Sequence, residues 1–408
     1  MISVSCRSFS LLTNISHTQR PFICHASRRF CSGSTSKPLR ILFCGSDTLS
    51  SAVLSRLYKE SKDPSISIAS IDVLCRPGKR SGRGLKNIRE LPIKATAQEL
   101  GLRLHERDTF TGWTPPLVNE EPINLVVAVS FGLFVPRRIL NAAEYGGLNV
   151  HPSLLPDLRG PSPIPYAILN GYTETGVSIQ TCSTEAFDHG KVLLNISTSI
   201  PNPDKITTSE LQHILMPPSC DILIDALRQK LYFNQSETPA RPWRYDRPLN
   251  HAPKIKSEDM RLRRHMSAEE IVRIQRALGK VWTVVKLKDD SEKRVLLHDL
   301  EVCPMPDEMR EIFRTQENAD RVFRPLSLVD QKVEAAKSDS WTIPMMKSAD
   351  GKGVIVTANG ENALLIRKTT MDGRKISDAA RTLWGTDLDV PEDRSWVDTL
   401  VSYSHLIV

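Results

Sequence analysis

The chain has no apolar run approaching the roughly 20 residues that a membrane-spanning helix needs. It also lacks any C-x-x-C pair. Cys44, Cys75, Cys182, Cys220 and Cys303 are scattered, and Cys6, Cys24 and Cys31 lie in or next to the first 30 residues. That spacing shows no zinc constellation and reads as buried thiols in a reducing compartment. FCGSDTLSS (residues 43–51) holds one glycine, where close approach to a pyrophosphate needs G-x-G-x-x-G. Asp47 would place a carboxylate where that phosphate would sit, so a nicotinamide enzyme is disfavoured. Internal repeats and low-complexity tracts are absent, and no acidic residue precedes Asp47.

The first 40 residues instead carry Arg7, Arg20, Arg28, Arg29, Lys37 and Arg40 among many serines. This is the composition of an organelle transit peptide. Arg28–Ser32 (RRFCS) resembles a mitochondrial processing site. Residues 1–38 are therefore expected to be a presequence addressed to the mitochondrial matrix. Residues 1–30 hold four arginines and no acid, so without them the formal charge falls from +7 to about +3. The remainder is only mildly basic, and a nucleic-acid partner has to be argued from local patches.

A chain of 408 residues, 40% apolar and 25% charged, has material for two cored domains. From Leu39, short apolar runs alternate with helical spacing. A strand ends at Gly45, and Leu49, Val53, Leu54 and Leu57 mark a helix capped by Ser46 or Asp47. A second strand ends at Cys75, Pro92 opens a helix closed by Gly101, and Ile123–Val129 and GGLNVH read as further strands. This order predicts, over residues 39–230, an α/β domain built on a Rossmann-like, doubly wound, mostly parallel sheet. Two more strands follow near residues 176–182 and 191–200. Pro217 and Pro218 predict a kink, or two helices, in the segment after them in sequence.

Residues 231–258 mix proline, aromatic and polar residues without period and read as a linker. Residues 259–390 predict a small, OB-like β-barrel led by one helix, with a capping box at Ser267 and Glu270 and a stop at Gly279. Residues 304–345 resist placement and read as an insertion, and 391–408 as a tail.

One stretch carries chemistry. Asn149 and His151 lie two apart on a strand, so they share a face. They stand at the carboxyl end of a parallel strand, where open α/β sheets bind ligands. PSLLPDLRGPSP then places four prolines in twelve residues, which lowers the entropy the loop loses on ordering. Asp188, in a glycine-ended loop between two strands, can reach the same crevice. Amide, imidazole and carboxylate together suit transfer of a small acyl group to an amine: the amide stabilises an oxyanion, and the carboxylate orients the imidazole. The same residue types also serve as ordinary turn-forming groups, and residues alone leave both readings open.

NVHPSLLPDLRGPSPI together with ETGVSIQTCSTEAFDHGKVL resembles the formyltetrahydrofolate-using transferase and hydrolase family. The resemblance implies a metal-free site for 10-formyltetrahydrofolate, with Asn149, His151 and Asp188 in formyl transfer and Ser153, Leu154, Leu155 and Pro156 against the folate. This motif alone leaves the acceptor open between a tRNA and glycinamide ribonucleotide. RPGKRSGRGLKNIRELPIK is similar to a basic loop in the family members that formylate methionyl-tRNA. Its Arg76, Lys79, Arg80, Arg83 and Lys86, with glycines expected to keep it flexible, suit a phosphate backbone. The C-terminal domain looks like the barrel of those members, and Arg263, Arg264, Arg367, Lys368, Arg374 and Lys375 cluster there. The implied partners are folate and methionyl-initiator tRNA, with no membrane insertion, and the implied enzyme is a monomer. The alternatives are a glycinamide ribonucleotide formyltransferase, a formyltetrahydrofolate hydrolase, or a noncatalytic RNA-binding module on the same fold. Pro152, Asp157 and Leu158 depart from many tRNA-formylating relatives. An acid at Asp157 is expected to weaken phosphate contact unless it pairs with Arg159.

Overall fold

The computed structural model describes residues 37–82, 84, 86–233, 235, 247–289, 291–310, 324–329, 340–358 and 360–384. The expected presequence (save its last two residues) and the tail at 391–408 lie outside the described residues.

The first half is organised by β1 (Leu39–Gly45), all of whose residues are buried. Its alternate side chains enter two different cores: Leu39, Ile41 and Phe43 pack into one, Leu42 and Cys44 into the other. A strand covered on both faces has little polar side to show, which is why every residue of β1 except Arg40 is apolar or glycine. β1 lies between β2 (Ile68–Cys75) and β6 (Leu125–Val129), both parallel to it. β5 (Arg103–Glu106) continues the parallel sheet beyond β2, and β7 (Gly147–His151) continues it beyond β6. β8 (Glu174–Thr181) and β9 (Val192–Ser199) then add two antiparallel strands, giving the order β5-β2-β1-β6-β7-β8-β9. The sheet is thus mostly parallel, with an antiparallel edge.

Helices α1 (Thr48–Glu60), α2 (Pro92–Glu99), α3 (Arg137–Ala142) and α4 (Pro163–Leu169) fill the crossovers and neighbouring connections. Asp47 caps α1 by accepting the Ser50 N–H at 2.9 Å. α5 (Thr208–Arg228) runs unbroken through Pro217 and Pro218, where a kink or two helices were expected. Each proline costs about 3 kcal/mol in a helix interior. Against that, six buried Leu and Ile side chains anchor the helix, each worth roughly 1.5–3 kcal/mol. His213, whose carbonyl loses a donor to Pro217, is exposed, as is Pro217 itself, so water can replace the missing bond.

The glycine-containing basic loop carries a short hairpin. β3 (Lys79–Ser81) pairs with β4 (Asn87–Arg89), and Gly82 and Gly84 supply the positive φ of +79° and +74° at the turn.

In the second half, α6 (Ala268–Leu278) carries the capping box of Ser267 and Glu270 and ends at left-handed Gly279. β10 (Val281–Lys286), β11 (Glu292–Pro304), β12 (Arg324–Val329), β13 (Ser340–Lys347), β14 (Val354–Thr357) and β15 (Asn362–Met371) form an antiparallel sheet. Their order is β11-β10-β12-β13-β14-β15, and β11 also pairs with β15, which closes the circuit into a barrel. The region 304–345 is therefore not a simple insertion: it supplies β12 and β13, without which the barrel stays open. β16 (Ser377–Asp378) and α7 (Ala379–Leu383) finish the domain.

Candidate active site

Leu148 and Val150 of β7 point into the larger core. The two-residue period of a strand therefore sends Asn149 and His151 to the opposite face. β8 brings Gln180 directly opposite Asn149. The loop after β8 returns with Asp188 in the left-handed region, at φ +56°, a conformation that aspartate tolerates better than most residues.

These side chains converge on one carboxylate. Asp188 Oδ1 accepts from Gln180 Nε2 at 2.8 Å and from Asn149 Nδ2 at 3.1 Å, and it lies 3.3 Å from His151 Nδ1. Asp188 Oδ2 accepts the Gly160 N–H at 3.0 Å. The imidazole is 5% exposed, and its second nitrogen, Nε2, lies 3.0 Å from the Leu158 carbonyl oxygen. With an acceptor at each end, the ring donates to both only when it carries both protons. The Asn149 amide spends one N–H on Asp188 and retains a second.

Asn149, His151, Gln180 and Asp188 line a cavity of about 660 Å³. Phe131, Leu133, Phe134, Val135 and Ile164 supply apolar wall, and Phe134 stacks edge-on against Phe187 at 5.2 Å. An apolar slot with a few convergent polar groups is the usual form of a small-molecule site. Cys182 lines it too, and burial, with help from the Asp188 charge, pushes its thiol up to about 12. Asp47 and Gln212 also reach the cavity. Burial raises the Asp47 carboxyl above its ordinary range, against the opposing hydrogen bonds from Ser50 and Ser130. Among the described residues no group of His, Cys, Asp and Glu could hold a metal ion.

The residues expected against folate sit elsewhere. Ser153, Leu154 and Leu155 are buried and Pro156 half-buried, and none of the four lines the cavity. Ser153 Oγ donates to the Asp157 carbonyl at 2.7 Å, and the Leu155 N–H donates to Ser178 Oγ at 3.0 Å. These two bonds run within the loop and to β8. The residues sequence reading missed are Gln180 and the turn from Phe131 to Val135. The available signal was the glycine in SFGLFVP: it follows a parallel strand, and Gly132 takes φ +75°.

Asp157 also differs from expectation. It is 1% exposed and pairs with Arg247 at 3.1 Å, not with Arg159. Of the basic residues, Lys79, Arg80 and Lys86 are exposed on the hairpin, and Arg83 lies outside the described residues. Arg76 pairs with Asp108 at 3.5 Å. Arg263 is exposed, Arg264 is half-buried, and Arg374 and Lys375 are exposed in the turn after β15. Arg367 and Lys368 pair with Glu301 at 2.7 Å and Asp299 at 3.4 Å, so their charge is largely compensated.

Residues 39–227 match the family described as Formyl transferase. A putative methionyl-tRNA formyltransferase from Schizosaccharomyces pombe is 30% identical over 285 residues, 64% of this chain and 78% of that one. The mitochondrial methionyl-tRNA formyltransferase of Saccharomyces cerevisiae is 30% identical over 336 residues, 71% and 82% of the two chains. That of Bos taurus is 31% identical over 264 residues, 64% and 62%. An α/β sheet with its polar cluster at a strand end is the form of a small-molecule site in open α/β folds, and the chain belongs to the formyl transferase family. All three of these relatives are named for methionyl-tRNA.

Proposed function

We propose that this chain transfers the formyl group of 10-formyltetrahydrofolate to the α-amino group of methionyl-initiator tRNA, in the mitochondrial matrix. The relatives from yeast and cattle favour this acceptor over glycinamide ribonucleotide, water or a noncatalytic role. The single observation that carries the chemistry is the convergence of Asn149, His151 and Gln180 on Asp188 at the wall of one cavity.

The apolar wall from Phe131 to Val135 receives the flat folate ring. An α-amine titrates near pH ~8, and esterification lowers that further, so a neutral amine is available without a strong base. Its attack on the formyl carbon makes a tetrahedral oxyanion. The spare Asn149 N–H donates to that oxygen, and His151 in its doubly protonated form places a positive charge behind it. Asp188 holds both groups in place. Its oxygens already accept from three donors and lie 3.3 Å from the imidazole, so the proton of the attacking nitrogen passes through water to the departing folate nitrogen. No helix among the described residues is long and apolar enough to cross a membrane. The exposed cations of the β3–β4 hairpin and of the barrel turn at Arg374 and Lys375 hold the tRNA backbone.

Asn149→Ala and His151→Ala test the assignment. Each is expected to lower kcat by about 10²–10³ while tRNA affinity stays close to wild type. Near-normal turnover in either variant removes that residue from the mechanism.

A further inference from the structure

The end of the segment expected to be a linker, residues 247–253, packs against the site loop. Leu158, Arg159 and Gly160 form a short loop with two occupied sides. Toward the cavity, the Leu158 carbonyl lies 3.0 Å from His151 Nε2 and the Gly160 N–H donates to Asp188 at 3.0 Å. On the other side the loop pairs with the strap 247–253. The Leu158 N–H donates to the Asn250 carbonyl at 2.8 Å, and the Ala252 N–H donates to the Arg159 carbonyl at 2.8 Å. The two backbones are in direct contact, since a Cβ added at Gly160 would stand 2.4 Å from the Ala252 carbonyl oxygen.

The register of strap on loop is fixed by Asp157. Its carboxylate, 1% exposed, accepts the Asn250 N–H at 2.8 Å and the Tyr172 hydroxyl at 3.0 Å, and pairs with Arg247 at 3.1 Å. The Arg247 guanidinium also stacks 3.9 Å over the Tyr172 ring, and Asn250 Nδ2 donates to the Tyr172 oxygen at 2.9 Å. Beyond Ala252 the chain passes Lys254, which lines the cavity, and joins the barrel where the Leu262 N–H donates to the Trp282 carbonyl at 2.8 Å. Leu158 is itself held at φ +55°. A branched aliphatic residue keeps that conformation only when its surroundings impose it.

We infer that Asp157 and Arg247 are positioning residues for His151 and Asp188, acting through the Leu158–Gly160 backbone. The strap between the two domains is therefore part of the catalytic apparatus rather than a tether. The inference rests on the formyl-transfer reading only for its kinetic consequence; the placement of the imidazole is readable without substrate.

The test compares Arg247→Ala, Arg247→Lys and Asp157→Asn in the full chain. Displacing catalytic groups by about an ångström costs up to ~10²-fold in rate. Arg247→Ala is expected to lose roughly ten- to a hundredfold in kcat, with KM for the formyl donor and for charged tRNA changed less than about threefold. Arg247→Lys, which keeps the charge, recovers part of that loss. The 15N resonances of the His151 ring, recorded without ligand, shift in Arg247→Ala and Asp157→Asn and return toward wild type in Arg247→Lys. If Arg247→Ala does not fold, Asp157→Asn decides, since its amide oxygen still accepts from Asn250. Unchanged His151 resonances together with an unchanged kcat and pH profile in a folded variant overturn the inference. So does a loss of thermal stability with the His151 resonances unmoved, because that is what a merely structural pair would give. A wild-type chain inactive with the formyl donor refutes the functional reading instead, and the resonances still judge the positioning claim.

Discussion

Asp188→Asn separates the charge at the centre of the site from its shape. The residue sits at φ +56°, and asparagine accepts that conformation as readily as aspartate, so the backbone is not perturbed. The side chain is 8% exposed and accepts from Gln180, Asn149 and Gly160, with His151 Nδ1 3.3 Å from Oδ1. An amide offers one oxygen in place of two. If that oxygen keeps the Oδ1 position, the new NH₂ faces the Gly160 N–H; if it keeps the Oδ2 position, the NH₂ faces the Gln180 and Asn149 donors and the imidazole. Either way at least one buried donor is left unmatched, and every surviving bond loses the assistance of a charge, which roughly halves its strength. The imidazole also loses the carboxylate charge beside it. A loss of kcat of about 10²–10⁴ follows, or ~2.7–5.4 kcal/mol at 1.36 kcal/mol per factor of ten. Single-turnover transfer from 10-formyltetrahydrofolate to charged tRNA, at saturating concentrations of both, reads this directly. A folded Asp188→Asn protein within threefold of wild type would refute the argument that this carboxylate organises the site.

Three further outcomes follow from the structure. Reversing charge at Arg80 and Lys86 should weaken tRNA use and flatten its salt dependence, whereas neutralising Arg367 and Lys368, already paired with Glu301 and Asp299, should change both much less; equal effects in salt titrations of KM would contradict that ranking. Burial raises the Asp47 carboxyl, so the folded chain holds this proton to a higher pH than the unfolded chain does. Stability from this residue is therefore lost as pH rises from the ordinary carboxylate range through the raised value, and Asp47→Asn should melt higher than wild type at neutral pH with the gain shrinking at acid pH; thermal melts at the two pH values check the sign. Pro217→Ala restores a donor to an exposed turn of α5 and should raise stability by about 1–3 kcal/mol, measured by urea unfolding; a loss would mean the helix is packed around the proline ring.

What the sequence disclosed was mostly local. The caps at Asp47, Ser267 and Gly279 work within a few residues of themselves, and each is found where its sequence places it. The shared face of Asn149 and His151 follows from strand period, and the reach of Asp188 follows from a short connection between adjacent strands. What stayed hidden depends on partners far along the chain. Asp157 finds Arg247 some 90 positions later, so its burial could not be told from an exposed acid. α5 survives two prolines because of tertiary packing on α1 and the sheet, which propensity does not contain. β12 and β13 belong to the barrel through pairing with β10 and β14, and no local signal in 304–345 announces it. Ser153–Pro156 read as ligand contacts because they adjoin Asn149 and His151; in the fold, Ser153, Leu154 and Leu155 turn inward and Pro156 is half-buried, none of them on the cavity.

The most direct measurement mixes the purified chain, labelled 10-formyltetrahydrofolate, and equal amounts of methionyl-initiator tRNA and glycinamide ribonucleotide, and asks where the label goes. The account requires the formyl group on the methionyl amine, at a rate that collapses in His151→Ala. Label appearing as free formate or on the ribonucleotide, or remaining on the folate, would contradict it.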